Sequence, residues 1–334
     1  MMKNTITRRL VTIPSFFLLT ALFVALLPIW LPLSLIAALI FPKASAAPRC
    51  LLFITSFLVC EVLGLIAAFY LWLRYGAIWL NPKNEAYIEA NYALQFWWAN
   101  ALKDLGVFFF SLKLEVEGEE ALQGDGAIIL PRHTSIADTV LPLVFCAKDV
   151  NRRVRYVIKR ELELDPCLDI VGNRIPNYFI DRQSNKMSKE LASLGALASS
   201  MGPQDGVLIY LEGTRFSEKK RQEVINSLRK RRDEKGLERA ERWTEVLPPR
   251  SAGTLAILEA NPGKDLIMFA HTGFEGSSHF STLFSGAWVN TTAKLRFWRI
   301  PYSEIPETKE GKKEMLFNLW DDMNEAILEM NGDA

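Results

Sequence analysis

Charge imbalance, a cysteine framework and the usual hydrolase signatures are all missing from this 334-residue chain. Its formal net charge is only +1, so no global basic field exists to recruit nucleic-acid backbones, and nucleic acid is not an expected partner. The four cysteines, Cys50, Cys60, Cys146 and Cys167, form no C-x-x-C pair, which leaves ordinary reduced thiols as the reading. No Gly-x-Ser-x-Gly elbow occurs, against a serine hydrolase built on that turn. Only three histidines are present. Two of them, His271 and His279, are spaced with Glu275 as His-x3-Glu-x3-His, but Gly273, Gly276, Ser277 and Ser278 oppose the helix that would align such ligands. No metal is expected. There is no internal repeat and no low-complexity tract.

What is abundant is apolar sequence before residue 75. Residues 14–41 carry no charge, and residues 51–73 carry one, Glu61. A helix needs roughly 20 apolar residues to cross a bilayer core, and both runs reach that length. Together they predict a two-helix transmembrane hairpin within residues 1–74. The rival reading of the first run is a secretory signal, with Arg8 and Arg9 as its basic end and Ala44-Ser45-Ala46 as the cleavage site. Such signals have an apolar core of about 7–15 residues, and this run is longer. Pro28 and Pro32 either kink one long helix or divide it into a re-entrant pair. Lys3, Arg8 and Arg9 before the hairpin, with Arg74 and Lys83 after it, outnumber Lys43 and Arg49 between. By the positive-inside bias both ends face the cytoplasm. Glu61 has no partner charge in the sequence and reads as a protonated or helix-shielded side chain.

Residues 75–110 are dense in aromatics, and Ala90, Leu94, Trp97, Ala101 and Leu105 recur at helical spacing. This predicts an interfacial helix or linker, lying in the headgroup layer, against a soluble core, or both. From Leu112 the pattern changes to alternating strands and helices. Strands are read at 112–117, 127–130, around 154–158, and at 178–180, 207–211, 266–270 and 295–298. Helices are read at 184–201, 252–260 and 309–330. Alternation of this kind predicts an α/β domain with a mixed sheet covered by helices.

Four segments carry candidate chemistry. Arg132-His133-Thr134-Ser135-Ile136-Ala137-Asp138 follows a buried strand. A histidine there can take a proton from an attacking hydroxyl, and a carboxylate on its other ring nitrogen fixes the tautomer. His133 and Asp138 meet only if the five-residue interval turns. Otherwise Asp138 caps the next helix and His133 is a surface residue. Phe179-Ile180-Asp181-Arg182 ends a strand with an arginine. Glu212-Gly213-Thr214-Arg215 does the same, with a glycine that permits close backbone approach and a guanidinium suited to phosphate. Leu247-Pro248-Pro249-Arg250-Ser251-Ala252-Gly253 leads into a helix N-terminus favourable to an anion. Between the last two, 217–246 carries Lys219, Lys220, Arg221 and Arg229-Lys230-Arg231-Arg232 interleaved with acids. It reads as a solvated helix pair, or as a contact for anionic headgroups or an acidic acyl carrier.

These four segments, in this order, resemble the glycerolipid acyltransferase family, which includes 1-acylglycerol-3-phosphate acyltransferases. The family's motifs are Asn-His-x4-Asp, a segment ending in Phe-Ile-Asp-Arg, Glu-Gly-Thr-Arg, and a fourth built around proline. The run Glu212-Gly213-Thr214-Arg215-Phe216-Ser217-Glu218-Lys219-Lys220 and the later 300–306 are similar to the lysocardiolipin acyltransferase branch. The resemblance implies a catalytic domain over 111–334 that moves a fatty acyl group from acyl-coenzyme A or acyl carrier protein, as co-substrate without a cofactor, to a lysophospholipid hydroxyl. It implies His133 as general base and Asp138 as its orienting partner. Glu212, Gly213, Thr214 and Arg215 would shape the acceptor site, Arg215 and Arg182 would hold phosphate, and Pro248 would wall the pocket. The simplest acceptor is 1-acyl-glycerol-3-phosphate, since two arginines converge on one phosphate. The setting implied is a bacterial inner membrane with a cytoplasmic catalytic domain, or the endoplasmic reticulum in a eukaryote. Arg132 stands where the family has asparagine. It is expected either to disfavour the imidazolium beside it or to bind substrate phosphate or the carrier, and it keeps open an inactive membrane scaffold on the same fold, with a lipid-transfer protein as a further alternative.

Overall fold

The computed structural model describes residues 4–76, 84–147, 152–181, 187–277 and 279–332. It contains two compact units. One comprises Met1–Leu112, Ile158–Arg182 and Leu283–Asn290, the other Lys113–Val157, Gln183–Thr282 and Thr291–Ala334. In chain order the elements begin with helices α1 (Thr5–Ala25), α2 (Leu27–Ile40), α3 (Ala47–Leu71) and α4 (Glu85–Phe110). Then come β1 (Lys113–Glu117), β2 (Ile128–Pro131), α5 (Leu141–Ala147), β3 (Arg153–Lys159), α6 (Pro166–Gly172), β4 (Tyr178–Ile180) and α7 (Met187–Ser199). The chain finishes with β5 (Asp205–Leu208), α8 (Glu218–Arg231), α9 (Glu234–Arg242), α10 (Ser251–Glu259), β6 (Leu266–His271), β7 (Thr292–Ile300) and α11 (Lys309–Asn331).

In the first unit α3 is central, packing on α1, α2, α4 and α6. Two helical stretches, Thr5–Ala25 and Pro42–Gly76, are long and apolar enough to cross a membrane. The first apolar run is not one helix from residue 14 to 41. It breaks at Leu26, because Pro28 lies in the first turn of α2 and has no N–H to offer a preceding turn. With 14 residues, α2 rises only about 21 Å, short of the roughly 30 Å hydrocarbon core. The helix long enough to cross starts at Thr5, where Asn4 caps it by accepting from the Ile6 and Thr7 amides.

That earlier start changes the meaning of Arg8 and Arg9. Read from sequence as flanking charges, they lie inside α1 and pair with α6. Arg8 grips Asp169 through Nε (3.2 Å) and Nη2 (2.8 Å), and its Nη1 meets Glu163 at 3.0 Å. Arg9 adds Nε to Asp169 at 3.0 Å and Nη2 at 3.1 Å. Arg8 and Asp169 are buried, so these charges are consumed within the unit and no longer serve a count of free flanking charges. Glu61 is also buried, and Trp98 Nε1 of α4 donates to its Oε1 at 2.6 Å. Along α4, Tyr87, Asn91, Leu94, Trp98 and Leu102 form a buried stripe, while Trp97 and Phe108 stay exposed.

In the second unit the sheet order is β1-β7-β6-β2-β5-β3. β2 pairs in parallel with both β5 and β6, β3 with β5, and β1 with β7, whereas β6 and β7 are antiparallel. The sheet is mixed and carries helices, as its alternating elements foretell. Every residue of β2, β5 and β6 is buried, the mark of parallel strands covered on both faces. Helix α7 packs on α10, and α11 on α10 and β6. After β1 the chain turns at Gly118, φ +74, where a Cβ would lie 2.0 Å from the Phe297 carbonyl oxygen, so only glycine fits. Since β2, β5 and β6 run the same way, the segments that follow them leave from one edge of the sheet, where sites form in folds of this kind.

Removing one side of a buried ion pair strands the other charge, at a cost of about 3–5 kcal/mol. Asp169→Ala is therefore expected to lower stability by that order in a detergent-solubilised denaturation series. Arg8→Ala in the same background should add little further.

Candidate active site

The loop after β2 is bent around one carboxylate. Asp138 Oδ2 accepts the Thr134 amide at 2.7 Å, the Ser135 amide at 2.8 Å and His133 Nδ1 at 2.9 Å. The donors precede Asp138 in the chain, so it does not cap the following helix. A single 3-10 turn, Ala137–Thr139, closes the interval that a regular helix would have splayed. Asp138 is buried. Burial alone would raise its pKa, but the two neighbouring histidines, His271 and His133, hold it below the ordinary carboxylate value. With Nδ1 committed to the carboxylate, the neutral imidazole keeps its lone pair on Nε2, and the ring retains 12% side-chain exposure.

The segment after β5 holds the histidine from the other side. The Tyr210 ring stacks on His133 with centroids 4.1 Å apart, and its hydroxyl donates to the Asp138 carbonyl. Glu212 is buried, and both its oxygens accept backbone amides: His133 N at 2.9 Å and Leu247 N at 3.0 Å. The Phe216 amide donates to the His133 carbonyl at 2.6 Å. Gly213 takes φ +70, a turn that costs other residues strain. Glu212 thus joins the His133 loop to the Leu247-Pro248 turn, which lies next to α10, and Pro248 is placed directly after the amide that Glu212 accepts. Burial pushes the Glu212 carboxyl up to about 8, against the pull of the two amides and the nearby Arg132.

Lys220 was read as part of a solvated cluster, yet its Nζ folds back to Thr214 Oγ1 (3.1 Å) and the Arg215 carbonyl (2.7 Å). Burial, then the adjacent Arg215 charge, lower its pKa. Thr214 and Arg215 are half-buried beside it. Ser217 caps α8 and accepts the Lys220 amide, so the cap that starts this helix is the local signal that aims Lys220 at the loop. Tyr210 was missed because only the strand pairing puts it over the imidazole. Arg182 lies outside the described residues.

Arg132 does not take either role the sequence suggested. It is fully buried. Nη1 donates to the His271 carbonyl (2.7 Å) and Glu275 Oε1 (2.5 Å), and Nη2 to the Glu245 carbonyl (2.9 Å) and Oε2 (3.1 Å). Its charge is neutralised by Glu245 and Glu275, and each of its guanidinium nitrogens, Nε included, donates to an acceptor within the protein. The guanidinium braces the turns that carry 245 and 275.

Residues 113–259 match the family model described as Acyltransferase. They form an acyltransferase-family domain. A crystal structure of the 1-acyl-sn-glycerophosphate (LPA) acyltransferase PlsC from Thermotoga maritima is similar to the chain at a TM-score of 0.48 and 14% identity, covering 81% of this chain and 98% of that one. No curated protein matches the sequence. The acyltransferase domain holds the whole His133 loop and the Glu212–Pro248 brace.

Two outcomes follow from the braces. An acid whose pKa is raised on folding keeps its proton in the native state and loses it in the unfolded chain, between its ordinary 4.5 and about 8 for Glu212. Its contribution to stability therefore falls as pH rises through that window. Glu212→Gln turns an N–H toward a buried amide and should cost about 1–3 kcal/mol in acid, with the gap to wild type narrowing toward pH 8 in a series of urea midpoints. Arg132→Asn restores the family residue but strands two partly exposed carboxylates. A lower melting temperature is expected, by about 3 kcal/mol or less of stability, rather than a gain in activity.

Proposed function

We propose that this protein transfers a fatty acyl group from a thioester to the free hydroxyl of a lysophospholipid, with 1-acyl-glycerol-3-phosphate as the first acceptor to test. The observation that carries the reading is His133, oriented by Asp138 through Nδ1 and clamped at both backbone groups by Glu212 and Phe216. Nε2 takes the hydroxyl proton as the oxygen attacks the thioester carbonyl carbon, forming the C–O bond. Asp138 stabilises the imidazolium. When the tetrahedral intermediate collapses, the C–S bond breaks and the leaving thiolate takes that proton. No acyl-enzyme intermediate enters this sequence, and positioning supplies much of the rate.

Arg215 and Lys220 supply adjacent cations for the acceptor phosphate, and Arg182, from the second motif, is the further candidate. The donor is acyl-coenzyme A or acyl carrier protein. Leu39, Ile6, Leu10, Ile40 and Leu33 on α1 and α2 are exposed, an apolar surface suited to lipid chains, so the chain works on its acceptor at a membrane.

The test is acyl transfer by the detergent-purified protein beside His133→Ala, from acyl-coenzyme A and then acyl carrier protein, to a panel of lysophospholipids. Wild type should consume thioester and yield a two-chain phospholipid, and the variant should be slower by about 10²–10⁴-fold. Movement of intact lipid without thioester consumption would mean a transfer protein. Inactivity with every donor and acceptor would mean a scaffold.

A further inference from the structure

His271 ends β6 behind the dyad and is fully buried. Its ring is tilted against Phe269, with centroids 5.5 Å apart, and edge-on to Phe274 at 6.0 Å. Nε2 lies 3.4 Å from the Arg132 carbonyl oxygen, its hydrogen-bond partner, and 3.1 Å from Asp138 Oδ1, while neither Oδ1 nor His271 Nδ1 has a formed hydrogen bond among the described residues. The two oxygens of Asp138 are thus divided. Oδ2 takes His133 and two amides, and Oδ1 faces His271.

We propose that His271 is a positioning residue: as the neutral Nε2–H tautomer it engages Oδ1 and keeps the Asp138 carboxylate turned, and still ionised, toward His133 Nδ1. The tautomer follows from the surroundings. A protonated His271 would bury a second N–H, at Nδ1, with no acceptor. It would also neutralise the carboxylate that must stabilise charge on His133. A neutral donor restrains rotation of the carboxylate without spending its charge. The charged groups around His271 are Asp138, the His133 ring beyond it, and the Arg132–Glu275 pair, whose opposite charges offset one another.

This role rests on the acyl-transfer reading, so the test includes a readout that needs no turnover. The chain has three histidines, and each imidazole can be assigned in nitrogen-labelled protein by its loss on substitution. Wild type, His271→Phe, which fills the apolar volume, and His271→Gln, which restores a neutral N–H, are compared as full-length protein in detergent. In the Phe variant the downfield Nδ1 proton of His133 is expected to be lost to exchange. Its kcat should fall about 10- to 100-fold, the scale for residues that orient a functional group from behind, with KM for the acceptor within about twofold. In the Gln variant both should largely return. A Phe variant that keeps the proton signal and kcat overturns the proposal. So does a Gln variant as impaired as Phe, with both melting lower, since the ring would then only fill space. If wild type turns over no acceptor, the acyl-transfer reading fails, while the proton signal across the three proteins still decides the role of His271.

Discussion

A buried carboxylate stays charged only where donors surround it, and Asp138 gathers three on one oxygen and faces a histidine with the other. The demand of that anion shapes the loop after β2. The Thr134 and Ser135 amides must turn inward to reach it, and this folds the five-residue interval until His133 Nδ1 arrives at the same atom. A protonated Asp138 would accept less well from all three donors, and the loop would lose its reason to bend. Local backbone geometry and the chemistry of the site are therefore one constraint.

The loop is held from outside by a second carboxyl group with a different task. Glu212 accepts the amides of His133 and Leu247, 79 and 35 residues away in the chain. Parallel pairing of β2 with β5 and β6 makes this possible, since it delivers three loops to one edge of the sheet. Arg132 braces the same region with its charge balanced, which explains how a cation can sit next to a histidine base without opposing protonation of the ring as a free charge would.

The elements were largely legible because their patterns are local. Strict alternation marked a strand at 112–117, which is β1 at Lys113–Glu117, unbroken apolar runs marked β2 and β6, and the helix read at 309–330 is α11, Lys309–Asn331. The strand read at 207–211 is β5 at Asp205–Leu208, a shift of register at an end where an apolar run continues past the pairing. Of the two outcomes that Pro28 and Pro32 left open for the first apolar run, the structure takes the division, with Pro28 in the first turn of α2, but hydropathy carries no information on where a charged side chain finds a partner. Arg8 and Arg9 can be buried or half-buried within α1 because Asp169, about 160 residues away in the chain, receives them.

Composition and spacing alone determined the mixed α/β class and the apolar N-terminal stretches, because each depends on neighbours within a few positions. His133, Asp138 and Glu212-Gly213-Thr214-Arg215 stood out only through the resemblance of four segments, in order, to the acyltransferase family. Tertiary structure alone decided what those residues touch. It turned Arg132 from a candidate phosphate ligand into a buried brace, brought Tyr210 over the imidazole, folded Lys220 back on the Arg215 loop and set His271 behind Asp138. Those outcomes rest on side-chain direction and on contacts between distant segments, which are fixed only when strands pair and the buried charges find their partners.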